Sequence, residues 1–332
     1  MLGLNGAYPD LRKKRRGYMD YRQYLIDYWD AIAKGNAADY PNGVDPSGFR
    51  AEKHIAYLGD YDPAHMLNLY YPADFKAENG SLPTVIYIHG GGWMYGTVDI
   101  SERYLGYLAS KGFAVMGMNY RLLQETDLGL GAIVSDIFAA LEWLDRYGKG
   151  RGFDLGKVLV CGDSAGGHLS ILTTCITLSP ELQKIYSVGK PSFEISAVSV
   201  SSPVTETGEL YISDRPATPN GEGSAKAYRD MMLGKDGEDA PWNGHMAASE
   251  TVPGLKLPPI QIIDSENDSL RIQTVYLKEV LDKHGFYHED MYWTAEEGIH
   301  LLHVFNISHW EWKESIEAND GMLEFFRRVI SR

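Results

Sequence analysis

Ser164 lies in Gly162-Asp163-Ser164-Ala165-Gly166-Gly167-His168, directly after the apolar run 158–161 and before a helical run. G-x-S-x-G between a buried strand and a helix is the pattern of a nucleophile elbow. Upstream, the apolar run 84–89 opens into His89-Gly90-Gly91-Gly92-Trp93, the pattern of the loop that accompanies such an elbow. A serine hydroxyl attacks poorly near neutral pH unless a base and an orienting acid are within reach. Here the helix after Ser164 would aim its N-terminal amides at the reacting carbonyl, and glycine would let the second loop approach it closely. The chemistry indicated is acyl transfer, with Ser164 as nucleophile and the amides of Gly91, Gly92 and Ala165 as oxyanion donors. A lone G-x-S-x-G arises by chance as a flexible turn. The two turns together, each after a strand, set this pair apart.

An acid and then a histidine should follow in the chain. Asp264, Glu266 and Asp268 all come after the apolar run 260–263. Asp264 is near enough to the strand end to be a cap or turn residue. The loop position and the order Ser…Asp…His favour Asp268. His300 and His303 both fall beyond the last apolar strand, and the residues alone leave both open as the base. With His309 they could suggest a metal site, but no cysteine or clear carboxylate arrangement supports one, and none is expected. Trp93 reads either as a pocket wall or as a core indole beneath a cap. His89 is expected to brace its own loop, and Tyr120 and Arg121 to pack and pair.

The elements that must position these groups alternate. Strands are expected over 54–58 and 66–71 as an antiparallel start, then over 84–89, 113–119, 158–161, 195–200, 260–263 and 287–294. Between them come a helix from Asp99, with Glu102 as capping-box partner, ending at Gly112, and a second around Ile133, Ile137 and Leu141, closed by Gly148. Further helices are expected over 165–178, 272–284 and 322–330. This rhythm implies an α/β fold, a mostly parallel central sheet with helices on both faces. Two segments depart from it. Residues 1–50 carry Tyr18, Tyr21, Tyr24, Tyr28 and Trp29 at helical spacing, either as ordinary surface packing or as a helical cap. Residues 205–253, rich in Gly, Pro, Asp and Glu with a short helix near 225–233, read as a cap insertion. The main α/β domain is then 51–332.

Composition narrows the function classes. The chain has 332 residues, 44% hydrophobic and 23% charged, enough for one large domain with a cap. A formal net charge of −14 opposes nucleic acid and anionic membrane surfaces. Lys13-Lys14-Arg15-Arg16 is the exception and reads as a solvated face. No apolar run has transmembrane length, and no apolar core follows the basic cluster, so no membrane association and a cytoplasmic setting are expected. Cys161 and Cys175, the only cysteines, fall in apolar segments and read as buried thiols.

At these residues the chain resembles the hormone-sensitive-lipase-like carboxylesterases of the α/β-hydrolase superfamily, over about residues 50–330. The resemblance rests on H-G-G-G-W from His89, N-Y-R-L from Asn119, G-D-S-A-G-G-H-L from Gly162 and P-P-I-Q-I-I-D-S-E-N-D-S-L-R from Pro258. Its D-x-L-R pattern selects Asp268. H-V-F from His303 matches the family's H-x-F and selects His303; His300 lacks the following phenylalanine. The resemblance implies a triad of Ser164, Asp268 and His303, an acyl-enzyme, no metal or organic cofactor, and a homodimer as a plausible assembly. The expected function is hydrolysis of small esters with short acyl chains. Two rivals stand beside it: an amide or formamide hydrolase, or carbohydrate ester deacetylase, using the same triad, and a hydrolase-fold receptor that binds without catalysis.

Overall fold

The computed structural model describes residues 20–39, 43–207, 221–298 and 300–332. In chain order the elements are α1 (Tyr21–Asp39), β1 (Phe49–Ala56), β2 (Met66–Pro72), β3 (Leu82–Ile88), α2 (Glu102–Ser110), β4 (Ala114–Met118), α3 (Gly129–Tyr147), β5 (Phe153–Asp163), α4 (Ala165–Leu178) and α5 (Pro180–Tyr186). Then follow β6 (Ala197–Ser201), α6 (Gly221–Leu233), α7 (Ala248–Thr251), β7 (Ile260–Ser265), α8 (Arg271–His284), β8 (His288–Trp293), α9 (Phe305–Ser308) and α10 (Lys313–Ile330).

Eight strands form one sheet in the order β1-β2-β4-β3-β5-β6-β7-β8. β2 runs antiparallel to both β1 and β4, and every later pairing is parallel. The chain is therefore an α/β-hydrolase fold with the antiparallel start that its sequence implies. The central strands are buried on both faces, which explains their nearly continuous apolar sequence. On one face Ile133, Ile137, Leu141, Leu169 and Leu172 of α3 and α4 pack against Ile86, Ile88 and Val160. On the other, Leu105 and Leu108 of α2 and Phe325 and Phe326 of α10 pack against Val85, Val115 and Leu159. No helix of the described residues is long and apolar enough to cross a membrane.

Several boundaries differ from expectation. β1 begins at Phe49, before the expected 54, because this half-exposed edge strand carries little apolar alternation and bulges between Glu52 and Ile55. α2 begins at Glu102 with no side-chain cap. The Asp99 carboxylate, expected to cap it, instead accepts from Asn68 Nδ2 at 2.8 Å and pairs with His54 Nε2 at 3.1 Å. α10 starts at Lys313 and not at 322; its buried face includes polar Ser315 and Asn319, which hide the helical period in the sequence. α5 was not expected. Ser179 caps it through its hydroxyl, which accepts from Leu182 N at 3.2 Å, and Pro180 opens it.

α1 buries Tyr24 and Leu25 and packs on α6, so the tyrosine-rich segment does lie over apolar surface. Tyr18 and the Lys13–Arg16 cluster lie outside the described residues.

Candidate active site

The elbow starts where β5 ends. Ser164 has φ 52° and ψ −120°, a left-handed conformation rare for a residue with a side chain. Its N–H donates to Ser201 O at 3.0 Å, and its carbonyl accepts from Val204 N at 3.0 Å, tying the turn to the end of β6. The flanking glycines serve closeness instead of φ. A Cβ on Gly166 would lie 2.1 Å from Ile88 O, and one on Gly162 would lie 2.4 Å from Gly166 O. The serine itself takes the strained angle, and the glycines let the elbow press against β3.

The imidazole of His303 reaches the nucleophile, with Nε2 3.0 Å from Ser164 Oγ. Its Nδ1 faces both carboxylate oxygens of Asp268, each at 3.0 Å. Asp268 also accepts from Leu270 N at 2.6 Å. Val304, directly after the histidine, has φ 53°, an outlier for a β-branched residue, and its N–H donates to Ser202 Oγ at 3.2 Å. Burial alone would raise the Asp268 carboxyl, but the His303 charge and the hydrogen bonds from His303, Ser202 and Leu270 hold it below the usual carboxylate range. Burial would likewise lower His303, yet the Asp268 charge and hydrogen bond, helped by Asp163 and Asp264, hold it above the ordinary histidine value.

The structure brings together Ser164, His303 and Asp268, and leaves their sequence rivals elsewhere. His300 is turned toward Glu314 Oε2 at 3.5 Å and lies edge-on to Trp312. Glu266 accepts from Ala295 N at 2.9 Å. Asp264 is buried beneath the acid loop, where desolvation and the Asp268 charge push its carboxyl up to about 7.

Across the nucleophile, Gly91, Gly92 and Trp93 take φ of 107°, 59° and 58° in succession. The Gly90 N–H is occupied, donating to Asp163 Oδ1 at 3.1 Å. Among the described residues no hydrogen bond takes up the N–H of Gly91, Gly92 or Ala165. Asp163 also accepts from Tyr87 OH at 2.6 Å, so one buried carboxylate ties elbow to glycine loop. Burial pushes that carboxyl above its ordinary range despite these donors. This second role of the motif aspartate was not anticipated, and neither was Ser202; a single serine after a strand carries no sequence signal.

Trp93 is 1% exposed. Its indole N–H donates to His168 Nδ1 at 3.3 Å, and His168 Nε2 lies 2.8 Å from Met246 O, which fixes the tautomer of a neutral ring. Burial lowers His168 to about 4, keeping it uncharged. Trp93 thus sits as a core indole would. His89 braces its loop as expected: Nδ1 meets Gly90 O at 2.8 Å, Tyr120 OH donates to His89 O at 2.6 Å, and the two rings stack 4.2 Å apart. Arg121 is bidentate on buried Asp136 at 2.8 and 2.6 Å.

The BD-FAE family model matches residues 67–281. Carboxylesterase NlhH of Mycobacterium tuberculosis is 35% identical over 120 residues, covering 36% of this chain and 35% of that protein. The match thus spans only about a third of that relative. Probable carboxylesterase 5 of Arabidopsis thaliana is 29% identical over 224 residues, 61% of this chain and 68% of its own. Among solved structures, esterase B from Lactobacillus rhamnosis is 41% identical with a TM-score of 0.86, covering 93% of this chain and 95% of that one. The same esterase with a C4-C4 SN3 tributyrin phosphonate superposes with a TM-score of 0.85 at 40% identity, over 94% of this chain and 96% of that one.

Proposed function

The chain belongs to the BD-FAE family, among the hormone-sensitive-lipase-like carboxylesterases of the α/β-hydrolase superfamily, and from that premise we propose that it is a serine carboxylesterase for small esters with short acyl chains. The continuous path from Ser164 Oγ through His303 to Asp268, 3.0 Å at each step, is the observation that supports this most. Ser164 Oγ attacks the ester carbonyl while His303 Nε2 takes its proton. Asp268 holds the imidazole by Nδ1 and stabilises it once charged. The carbonyl oxygen becomes an oxyanion held by the N–H groups of Gly91, Gly92 and Ala165, each contributing about 3 kcal/mol. The tetrahedral adduct collapses as His303 protonates the leaving alkoxide, releasing the alcohol and leaving an acyl-serine. Water, deprotonated by His303, attacks that acyl group by the same route and frees the acid and Ser164.

Of the two readings of Trp93, its burial favours the core indole beneath the cap, packed edge-on against His168 and Tyr228. α1 and residues 205–253 together form the cap, of which 208–220 lie outside the described residues. The triad works without metal or organic cofactor. A cytoplasmic homodimer is the setting proposed from composition and resemblance. Esterase B, similar over nearly its whole length, carries a tributyrin phosphonate, and this favours short acyl chains here.

Organophosphate labelling followed by peptide mass spectrometry should place the adduct on Ser164. Ser164→Ala should lower turnover of p-nitrophenyl butyrate by about 10⁵-fold or more. Acetyl and butyryl esters should outpace long-chain emulsions. A wild-type protein that never labels would support the receptor reading instead.

A further inference from the structure

We propose that Trp29 on α1 is a positioning residue for the oxyanion loop: its indole clamps Gly92 from outside and keeps the Gly91 and Gly92 amides in place. This rests on the reading of those amides as oxyanion donors.

Glycine samples both signs of φ freely, so Gly91 and Gly92 keep their angles only where neighbours hold them, and Trp93 at φ 58° is strained besides. On the inner side the loop is held by Asp163 at Gly90 N and by His168 at the Trp93 indole. Gly91 is closed in by the following turn: a Cβ there would lie 2.0 Å from Tyr95 O, and Met94 N donates to Gly91 O at 3.1 Å. Gly92 has a different neighbour. A Cβ on it would lie 2.1 Å from Trp29 Cζ2 and 2.9 Å from Cη2, so the indole edge rests directly on its Cα.

Trp29 is itself fixed on two sides. Its ring lies nearly parallel to Tyr95, 15° between planes and 6.3 Å between centroids. Its Nε1–H donates to Tyr228 OH of α6, and the Tyr228 ring meets Trp93 edge-on at 6.2 Å. Asn36, further along α1, donates from Nδ2 to Tyr95 OH at 3.1 Å. Trp29, Tyr95, Tyr228 and Trp93 therefore enclose the loop, and Trp29 is the member that touches Gly92. Without it Gly92, which as glycine has many angles open to it, can turn its amide away. Because the oxyanion forms only in the transition state, the loss should fall on kcat and spare KM.

Trp29→Ala should lower kcat on p-nitrophenyl butyrate about 10- to 100-fold with KM within about threefold. The Ki of a short-chain trifluoromethyl ketone, which forms an oxyanion adduct, should rise by the same factor. Trp29→Phe, whose shorter ring withdraws in part from Gly92 and drops the indole donor, should fall between the alanine variant and wild type on both measures. Circular dichroism and melting accompany each variant, and Trp29→Leu replaces the alanine variant if that one is unfolded at assay temperature. An unchanged kcat, a loss confined to KM, or a kcat loss without weaker ketone binding would overturn the proposal. The oxyanion reading fails separately, if the wild type binds the trifluoromethyl ketone no better than the matching methyl ketone.

Discussion

The elbow and the oxyanion loop are both glycine-rich, yet they use glycine for opposite reasons. At the elbow neither Gly162 nor Gly166 takes a positive φ; they are small so that the turn can lie against the carbonyls of β3. In the loop the angles themselves need glycine, and at Gly92 the nearest neighbour is a side chain. The first turn is fixed by backbone against backbone, the second by side chains from α1, α4 and α6. On the proposed reading, such a site pairs a rigid nucleophile with a more adjustable anion hole.

Substitutions can break or sharpen this contrast. The largest effect should come from Gly166→Ala, whose Cβ would lie 2.1 Å from a strand carbonyl with no side chain to yield. We expect a stability loss of about 3 kcal/mol in urea unfolding, since overpacking against a fixed neighbour is costly; a variant with wild-type midpoint would refute the backbone-contact reading. Gly92→Ala should cost less stability, because α1 can shift outward with the Trp29 ring where a sheet carbonyl cannot move, but should lower kcat about 10- to 100-fold while KM holds. Equal stability losses in the two variants would erase the distinction. The mildest probe is the carboxylate joining both turns. Asp163 is among the negative charges that raise His303. Asp163→Asn removes that charge, so the imidazolium is less favoured and the His303 pKa falls. The neutral base then persists to lower pH, and the acid limb of kcat/KM should move down; a limb that stays or moves up would refute the linkage.

Much of the site was legible because the chemistry dictates local spacing. A nucleophile elbow must sit between strand and helix, so Ser164 and Ala165 could be placed from neighbouring residues alone. Asp268 was harder, since three carboxylates follow β7 and only geometry separates them: Asp264 is buried below the loop, Glu266 binds the Ala295 amide, and Asp268 faces His303. The choice of His303 over His300 rested on resemblance, because both lie in one irregular segment where no periodicity marks direction. Trp29 and Ser202 could not be read as part of the site. Their roles arise from contacts between distant segments, with 199 positions separating Trp29 from Tyr228. The start of α10 was hidden for a related reason: Asn306 and Asn319 bond each other inside the core at 2.9 and 2.8 Å, so buried positions there are polar.

That asparagine pair ties the segment just after His303 to α10, and His303 itself follows Ser164 by 139 residues. Translation proceeds from the other end. A nascent chain that has already formed the elbow still lacks His303, and holds that segment firmly only once α10 has left the ribosome and docked. A chain cut anywhere between Ser164 and His303 would carry the elbow serine with no imidazole beside it.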